Sequence, residues 1–142
     1  MKDTPVDLDG MARALGVDVV TDPTLPEGIA GKIERADRGY RITLNGREGR
    51  RRQRFTLAHE LAHFILHRDL IDDGITDSVM YRSRMSDEIE SQANRFAADL
   101  LMPASAMRAL WRQGIKSFAG MAAKFDVSTE AARIRMQDLF PA

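Results

Sequence analysis

Residues 54–67 read RFTLAHELAHFILH, and this stretch decides how the rest of the chain is interpreted. Within it, His59 and His63 stand four residues apart, and Glu60 directly follows the first histidine. Positions with this spacing lie on one face of an α-helix, with Cβ atoms about 5–6 Å apart. Two such imidazoles can bind one metal ion at about 2.0–2.1 Å, while the glutamate reaches a water rather than the ion. The pattern is typical of zinc-dependent hydrolases.

The residues around this motif predict a buried helix, because they are apolar almost all round. These apolar positions are Leu57, Ala58, Leu61, Ala62, Phe64, Ile65 and Leu66. A histidine on such a helix can also be a hydrogen-bonded core residue, and Glu60 can pair with a nearby arginine. However, burying two imidazoles and a carboxylate without partners costs several kcal/mol, which a divalent cation offsets. We therefore interpret the motif as a metal site.

Composition sets the broad class of the protein. At 142 residues the chain has the size of one ordinary domain, and we expect a single domain over residues 1–142. Lys plus Arg and Asp plus Glu both number 21, so the balanced charge predicts no direct nucleic-acid binding and no attraction to an acidic membrane. The chain has no cysteine, which excludes thiolate ligands. Without a signal-peptide pattern or a membrane-spanning apolar run, we expect a cytoplasmic protein, and no pattern predicts its oligomeric state.

The chain before the motif predicts a short helix and a small sheet. A helix is expected over residues 7–15, with Met11 and Leu15 on one side. Three strands are predicted, of which the second and third alternate apolar and polar residues around a turn and so form a hairpin. These strands cover residues 17–20, 29–34 and 40–44. The fold class is therefore α+β: a mostly helical domain with a small N-terminal antiparallel sheet packed beside the central helix.

The chain after the motif is predicted to be helical apart from one long connection. A polar turn over residues 68–74 ends the central helix, and the chain is expected to stay irregular to about Met85 and to form one wall of the cleft. Ser86 then begins a helix that continues to Leu101. Further helices are expected over residues 104–113 and about 115–139. The last of these ranges is similar to a helix-turn-helix, which we expect to be part of the fold.

A catalytic zinc needs a third protein ligand. His67 lies eight residues after His59 on the same helix, about 12 Å along its axis, which is too far for both to bind one ion. We therefore expect a carboxylate from the helix near Ser86, with Glu90 as the first candidate. Asn94 lies one turn after Glu90 and is expected to orient a ligand by a hydrogen bond. The other candidate ligands are Glu88, then Asp87 and Asp99.

Five arginines lie directly before and within the start of the central helix. They are Arg47, Arg50, Arg51, Arg52 and Arg54. Taken alone, such a cluster can bind phosphate or nucleic acid. Because the net charge is zero and no aromatic residue is interleaved, we interpret the cluster as a solvated loop and first helical turn.

Two segments together resemble the ImmA/IrrE family of metallopeptidases. They are RFTLAHELAH at residues 54–63 and ESQANRFAADLLMP at residues 90–103, and the resemblance covers roughly residues 10–140. It implies that Glu90 is the third metal ligand, since the family's ligand stands at the start of this second segment. It also implies a protein substrate, a helix-turn-helix transcriptional repressor, cleaved to release stress-response or mobile-element genes. The expected cofactor is Zn²⁺, with Mn²⁺ as the other possibility.

The expected reaction is hydrolysis of a peptide bond by metal-activated water, with Glu60 as the general base and then as the proton donor to the leaving amine. A further donor is needed for the oxyanion, for which His67, Tyr81 and Arg82 are candidates, each also open to a structural interpretation. The alternative function is a DNA-binding or repressor-docking regulatory module, suggested by the helix-turn-helix-like segment. In that case the metal site is structural or sensory.

Overall fold

A computed structural model describes residues 5–72 and 87–141, and it confirms a mostly helical α+β fold. Within these residues the chain forms seven helices and three strands. They are α1 (Leu8–Leu15), β1 (Val17–Asp22), β2 (Gly31–Ala36), β3 (Gly39–Asn45), α2 (Arg50–Leu66), α3 (Arg68–Asp72), α4 (Asp87–Leu101), α5 (Ala104–Arg112), α6 (Phe118–Phe125) and α7 (Thr129–Leu139). None of the helices described is both long and apolar enough to cross a membrane.

The sheet is mixed rather than wholly antiparallel, which corrects the expectation from sequence. Strands β2 and β3 form the predicted antiparallel hairpin, in which Ile33 lies opposite Ile42. Strand β1 pairs in parallel with β3, so β3 occupies the centre of the order β1-β3-β2. The connection from β1 to β2 runs over residues 23–30 and contains Pro23 and Pro26, so it is not a tight hairpin turn, and β2 pairs with β3 instead of β1. As a result β3, the last strand in the sequence, lies between β1 and β2.

Helix α2 lies at the centre of the fold, between the sheet and α4. Its residues Leu57, Leu61 and Phe64 are buried in the core, as predicted. Close approach of the sheet depends on Gly31, where an added Cβ would lie 2.7 Å from the Thr56 side chain of α2. The end of α2 differs from the prediction, because Ile65 and Leu66 are 40% and 45% exposed. The motif, and not the whole helix, is therefore enclosed.

Two other expectations need correction. In α1 the buried positions are Leu8 and Ala12, and Met11 on the same face is half-buried against the core, but Leu15 at the end of the helix is 39% exposed. After His67 the chain forms the short helix α3 instead of a polar turn, and Ile71 of this helix is buried in the core. Most of the predicted loop lies outside the described residues. So do the candidate residues Tyr81 and Arg82, and so does Ser86, where the next helix was predicted to begin.

Residues of the C-terminal helices pack into the hydrophobic core. Helix α5 buries Met107 and Leu110, while the half-buried Trp111 stacks on Phe140 with ring centroids 4.2 Å apart. Helices α6 and α7 form the helix-turn-helix-like pair. The turn between them contains Asp126, whose φ of 56° is left-handed, and Ser128, whose hydroxyl caps α7 by accepting from the backbone N–H of Ala131. The inner face of the pair consists of Met121, Phe125, Ala132 and Met136.

Three of the five arginines join α2 to this C-terminal turn, so the cluster is not merely solvated. Arg50 and Arg51 bind the Asp126 carboxylate at 2.7 and 3.3 Å. Arg54 lies 3.7 Å from the same carboxylate and is only 18% exposed. Its guanidinium also donates to backbone carbonyls of three residues, namely Val6, Phe125 and Asp126. These contacts fix the start of α2 against both the N-terminal segment and the α6–α7 turn.

We expect Asp126→Asn to lower the free energy of unfolding by about 1–3 kcal/mol at neutral pH, because hydrogen bonds to charged groups are of that size. Burial works to raise the pKa of Asp126, but the hydrogen bonds from Arg50 and Arg51 and the arginine charges outweigh it and hold the pKa below its ordinary value of 3.8. The stability from this depressed pKa is present above pH 3.8 and is lost as the pH falls through the folded-state value. Asparagine tolerates the left-handed backbone, so the change tests the charge.

Urea unfolding at several pH values measures this effect. The matched control is Asp18→Asn, which breaks an exposed 3.2 Å ion pair with Arg41 and should change stability by less than about 1 kcal/mol. Equal stability of the two variants at pH 7 would contradict a structural role for Asp126.

Candidate metal centre

The packing of α4 against α2 brings Glu90 to the two histidines of the motif. One Glu90 oxygen, Oε1, lies 3.0 Å from His59 Nε2 and 3.1 Å from His63 Nε2. The two Nε2 atoms are 3.1 Å from each other. Small residues on α4, Ala93 and Ala97, are fully buried and allow the two helices to approach this closely. Three potential ligand atoms from two helices therefore face one point.

The three donors fit a small divalent cation. At metal–ligand distances of about 2.0–2.1 Å, a tetrahedral site separates its donor atoms by about 3.3–3.4 Å, close to the spacing found here. Two imidazole nitrogens and one carboxylate oxygen also form a donor set that catalytic zinc uses. His63 is fully buried, whereas the His59 and Glu90 side chains are each 15% exposed. The site can hold a metal ion, and it opens to solvent on one side.

Each histidine of the motif has a second contact through its other ring nitrogen. His59 Nδ1 lies 2.8 Å from the Asn94 side-chain oxygen, which is the contact expected from the spacing of Glu90 and Asn94. His63 Nδ1 lies 2.9 Å from His67 Nδ1, and His67 Nε2 lies 2.8 Å from the Gln92 side-chain oxygen. Outer contacts of this kind fix the tautomer and orientation of metal-binding histidines.

The chain of contacts from His63 to Gln92 has one consistent assignment of protons. If His63 uses Nε2 as a ligand, its Nδ1 carries a hydrogen and donates to His67 Nδ1. His67 then carries its hydrogen on Nε2 and donates to the Gln92 oxygen. Sequence reasoning missed Gln92, since it stands two residues from Glu90 and no helical spacing links it to His67. The one sequence signal for this chain of contacts was the position of His67, one helical turn after His63.

The other candidate site residues differ in burial and in their contacts. Glu60, which directly follows His59 in the sequence, is buried and only 2% exposed. Asp87 and Glu88 are exposed at the start of α4, and Asp99 pairs with Arg135 at 2.9 Å. None of these three joins the group formed by His59, His63 and Glu90. Tyr81 lies outside the described residues, so its predicted role stays a prediction.

The chain is similar to one known protein family and to a solved structure. The family model Peptidase_M78, described as the IrrE N-terminal-like domain, matches residues 12–137. A solved structure of a Mycobacterium tuberculosis transcriptional regulator is similar in fold, with a TM-score of 0.65 and 19% sequence identity over 92% of this chain. This chain spans 39% of that protein's length. No curated protein shows significant sequence similarity. Because the family model covers most of the chain, the protein belongs to the Peptidase_M78 family of IrrE N-terminal-like domains.

Proposed function

We propose that the protein is a metal-dependent endopeptidase that hydrolyses a peptide bond in a helix-turn-helix transcriptional repressor. The observation that carries the proposal is the convergence of His59, His63 and Glu90 within 3.0–3.1 Å of one another, with the buried Glu60 next to the first histidine. Membership of a peptidase family supports the same reaction class. In this proposal His59, His63 and Glu90 hold zinc, with manganese as the other possible ion.

A divalent cation, when bound, supplies Lewis-acid chemistry by polarising a carbonyl group and making water more acidic. The chain's own contribution to proton transfer is Glu60. Its carboxylate takes a proton from the attacking water and then gives that proton to the amine that leaves. Burial of Glu60 keeps bulk water away from the carboxylate, and Asn94 and His67 hold the two imidazoles in place.

The proposed substrate class has two supports. The chain's family resemblance implies a repressor, and a protein similar in fold is described as a transcriptional regulator.

A DNA-binding or repressor-docking module is the alternative, and the α6–α7 pair is the observation that favours it. The arginines of α7 are engaged within the protein, however. Arg133 donates to Glu130 and Gln137, and Arg135 binds Asp99 and the backbone carbonyl of Met102. These contacts leave neither side chain available for phosphate without breaking an existing contact. Duplex binding by the Glu60→Gln variant that is tight and falls steeply with salt would favour the alternative.

Co-expression with helix-turn-helix repressors from the same genome tests the proposal. We expect cleavage of one of these repressors by the wild type and none by Glu60→Gln. The product masses then identify the bond that is cut. If every repressor stayed intact with a zinc-loaded wild-type protein, that result would contradict the proposed substrate.

We also expect His67→Leu to weaken zinc binding by about 10–100-fold, because outer contacts of metal-binding histidines have effects of this size. Leucine cannot accept the hydrogen bond from His63. His67→Gln keeps an acceptor at this position and should restore part of the affinity. Competition with a chelating indicator measures both variants. Full affinity in His67→Leu would show that the contact has no role in binding the ion.

A further inference from the structure

An apolar groove lies beside the metal centre, where α2 and α4 continue toward the C-terminal helices. Stepping back along α2 from His59, Phe55 lies one turn away and Arg51 two turns away, on the same helical face. Stepping forward along α4 from Glu90, Asn94 and then Ala98 lie on the same face. Because the motif end of α2 meets the start of α4, these steps run in the same direction in space.

The groove occupies this continuation and is closed on its far side by α7. Phe55, Asn94 and Ala98 line it on the side of the metal centre, and Val127, Ala131 and Ile134 line it on the side of α7. We call this set of residues the α7 groove. Its cavity volume is about 460 Å³. Asn94 belongs to both places, since it lines the groove and contacts His59 at 2.8 Å.

The distance from the metal centre suits an extended polypeptide. One helical turn corresponds to about 5.4 Å, so the groove begins about one turn from His59 and extends to about two turns, or roughly 5–11 Å. An extended chain advances about 3.3 Å per residue. A segment bound with its scissile bond at the metal centre would therefore place a side chain two or three residues away in the groove.

The groove also has a large apolar side chain that is exposed to solvent instead of packing in the core. Ile134 is 52% exposed, the most exposed of the large hydrophobic residues in the described part of the chain. It stands at the groove beside the half-buried Phe55 and Ala131. Covering such a side chain with another apolar group is favourable by about 25 cal/mol per Å².

Charge favours a polypeptide over a nucleic acid as the occupant. The rim has Arg51 and Arg52 on α2 and Arg135 on α7, together with Glu130 and Asp138 on α7. Arg135 is paired with Asp99 at 2.9 Å. Arg51 is already paired with Asp126 at 3.3 Å. Phosphates laid along this groove would meet two carboxylates, whereas an uncharged apolar segment meets none of this repulsion.

We infer that the α7 groove is a specificity subsite that takes a bulky aliphatic side chain of the substrate polypeptide, two or three residues from the bond that is cut. This inference rests on the proposed function for the identity of the occupant. It gives the helix-turn-helix-like pair a role in substrate selection rather than in DNA binding, with Ile134 as a specificity-determining residue.

Binding by the zinc-loaded Glu60→Gln protein tests the groove without needing cleavage. The probe is a library of fluorescein-labelled dodecapeptides in which leucine, lysine or glutamate is fixed at one position at a time, read by fluorescence anisotropy. We expect fixed leucine to bind at least tenfold more tightly than fixed lysine at one position or two adjacent positions. Ile134→Lys should remove this preference, and Ile134→Ser should reduce it.

The matched control is Leu15→Lys, which changes another exposed aliphatic residue, 39% exposed, on a helix remote in sequence from the groove. It should keep the leucine preference. No leucine preference, its survival in both Ile134 variants, or its equal loss in Leu15→Lys would overturn the inference. The serine variant decides the matter if the lysine variant does not fold.

The same library given to the wild-type protein separates this inference from the proposed function. Leucine-selective binding by Glu60→Gln without cleavage by the wild type would contradict the peptidase proposal, while the groove would stand as a binding site. Cleavage with no preference for leucine two or three residues from the cut would contradict the subsite inference, while the peptidase proposal would stand.

Discussion

Glu60→Gln is expected to lower peptide-bond cleavage by about 10²–10⁴-fold, the range that a positioned general acid–base group contributes. Glutamine has the size and shape of glutamate, so it can occupy the same buried position, where Glu60 is 2% exposed. Its amide does not take a proton at neutral pH and cannot deliver one to the leaving amine. The loss should therefore fall on the rate of cleavage and not on zinc binding.

Two measurements separate this chemical role from a structural one. Zinc affinity, measured by competition with a chelating indicator, should match the wild type, and so should the thermal unfolding midpoint. The control is Glu34→Gln on the sheet, which changes a surface glutamate that is 39% exposed and should keep full activity. Cleavage at the wild-type rate by Glu60→Gln would sink the role proposed for Glu60.

The metal centre was predictable from sequence as far as local spacing carries information. The i, i+4 relation of His59 and His63 is a property of any helix, so their convergence followed from the sequence. Glu90 required more, because it stands 27 positions after His63, and the packing of α4 against α2 decides which carboxylate faces the histidines. Spacing alone left Glu88 open, and the family resemblance favoured Glu90.

The contacts that were missed join residues far apart in the chain. Arg54 binds the carbonyl of Asp126, 72 positions away, and no local pattern distinguishes such an arginine from a solvated one. The direction of β1 was missed for a similar reason, since period-2 alternation predicts a strand but not its neighbour. His67 was correctly excluded as a partner of His59 on distance, yet it contacts His63, only one turn away.

Glu90→Ala is expected to weaken zinc binding by more than about 100-fold, because it removes a direct ligand, and even outer contacts change affinity by about 10–100-fold. In the present structure one Glu90 oxygen contacts both histidines, and its removal leaves two donors where a catalytic zinc needs three. The effect should also be visible as lost stabilisation. A ligand at about 100 times its Kd stabilises the folded state by about 2.7 kcal/mol, so zinc that raises the unfolding midpoint of the wild type should barely change that of Glu90→Ala.

Glu88→Ala is the matched control for this variant, since Glu88 lies two residues earlier on the same helix and is exposed. A helix turns by about 100° per residue, so Glu88 points about 200° away from Glu90. We expect its removal to leave both zinc affinity and the zinc-dependent unfolding midpoint unchanged. Retention of full affinity by Glu90→Ala would move the third ligand to another residue, and its loss in Glu88→Ala alone would name that residue. Loss in Glu90→Ala only would instead establish that the pairing of α2 with α4 completes the metal centre.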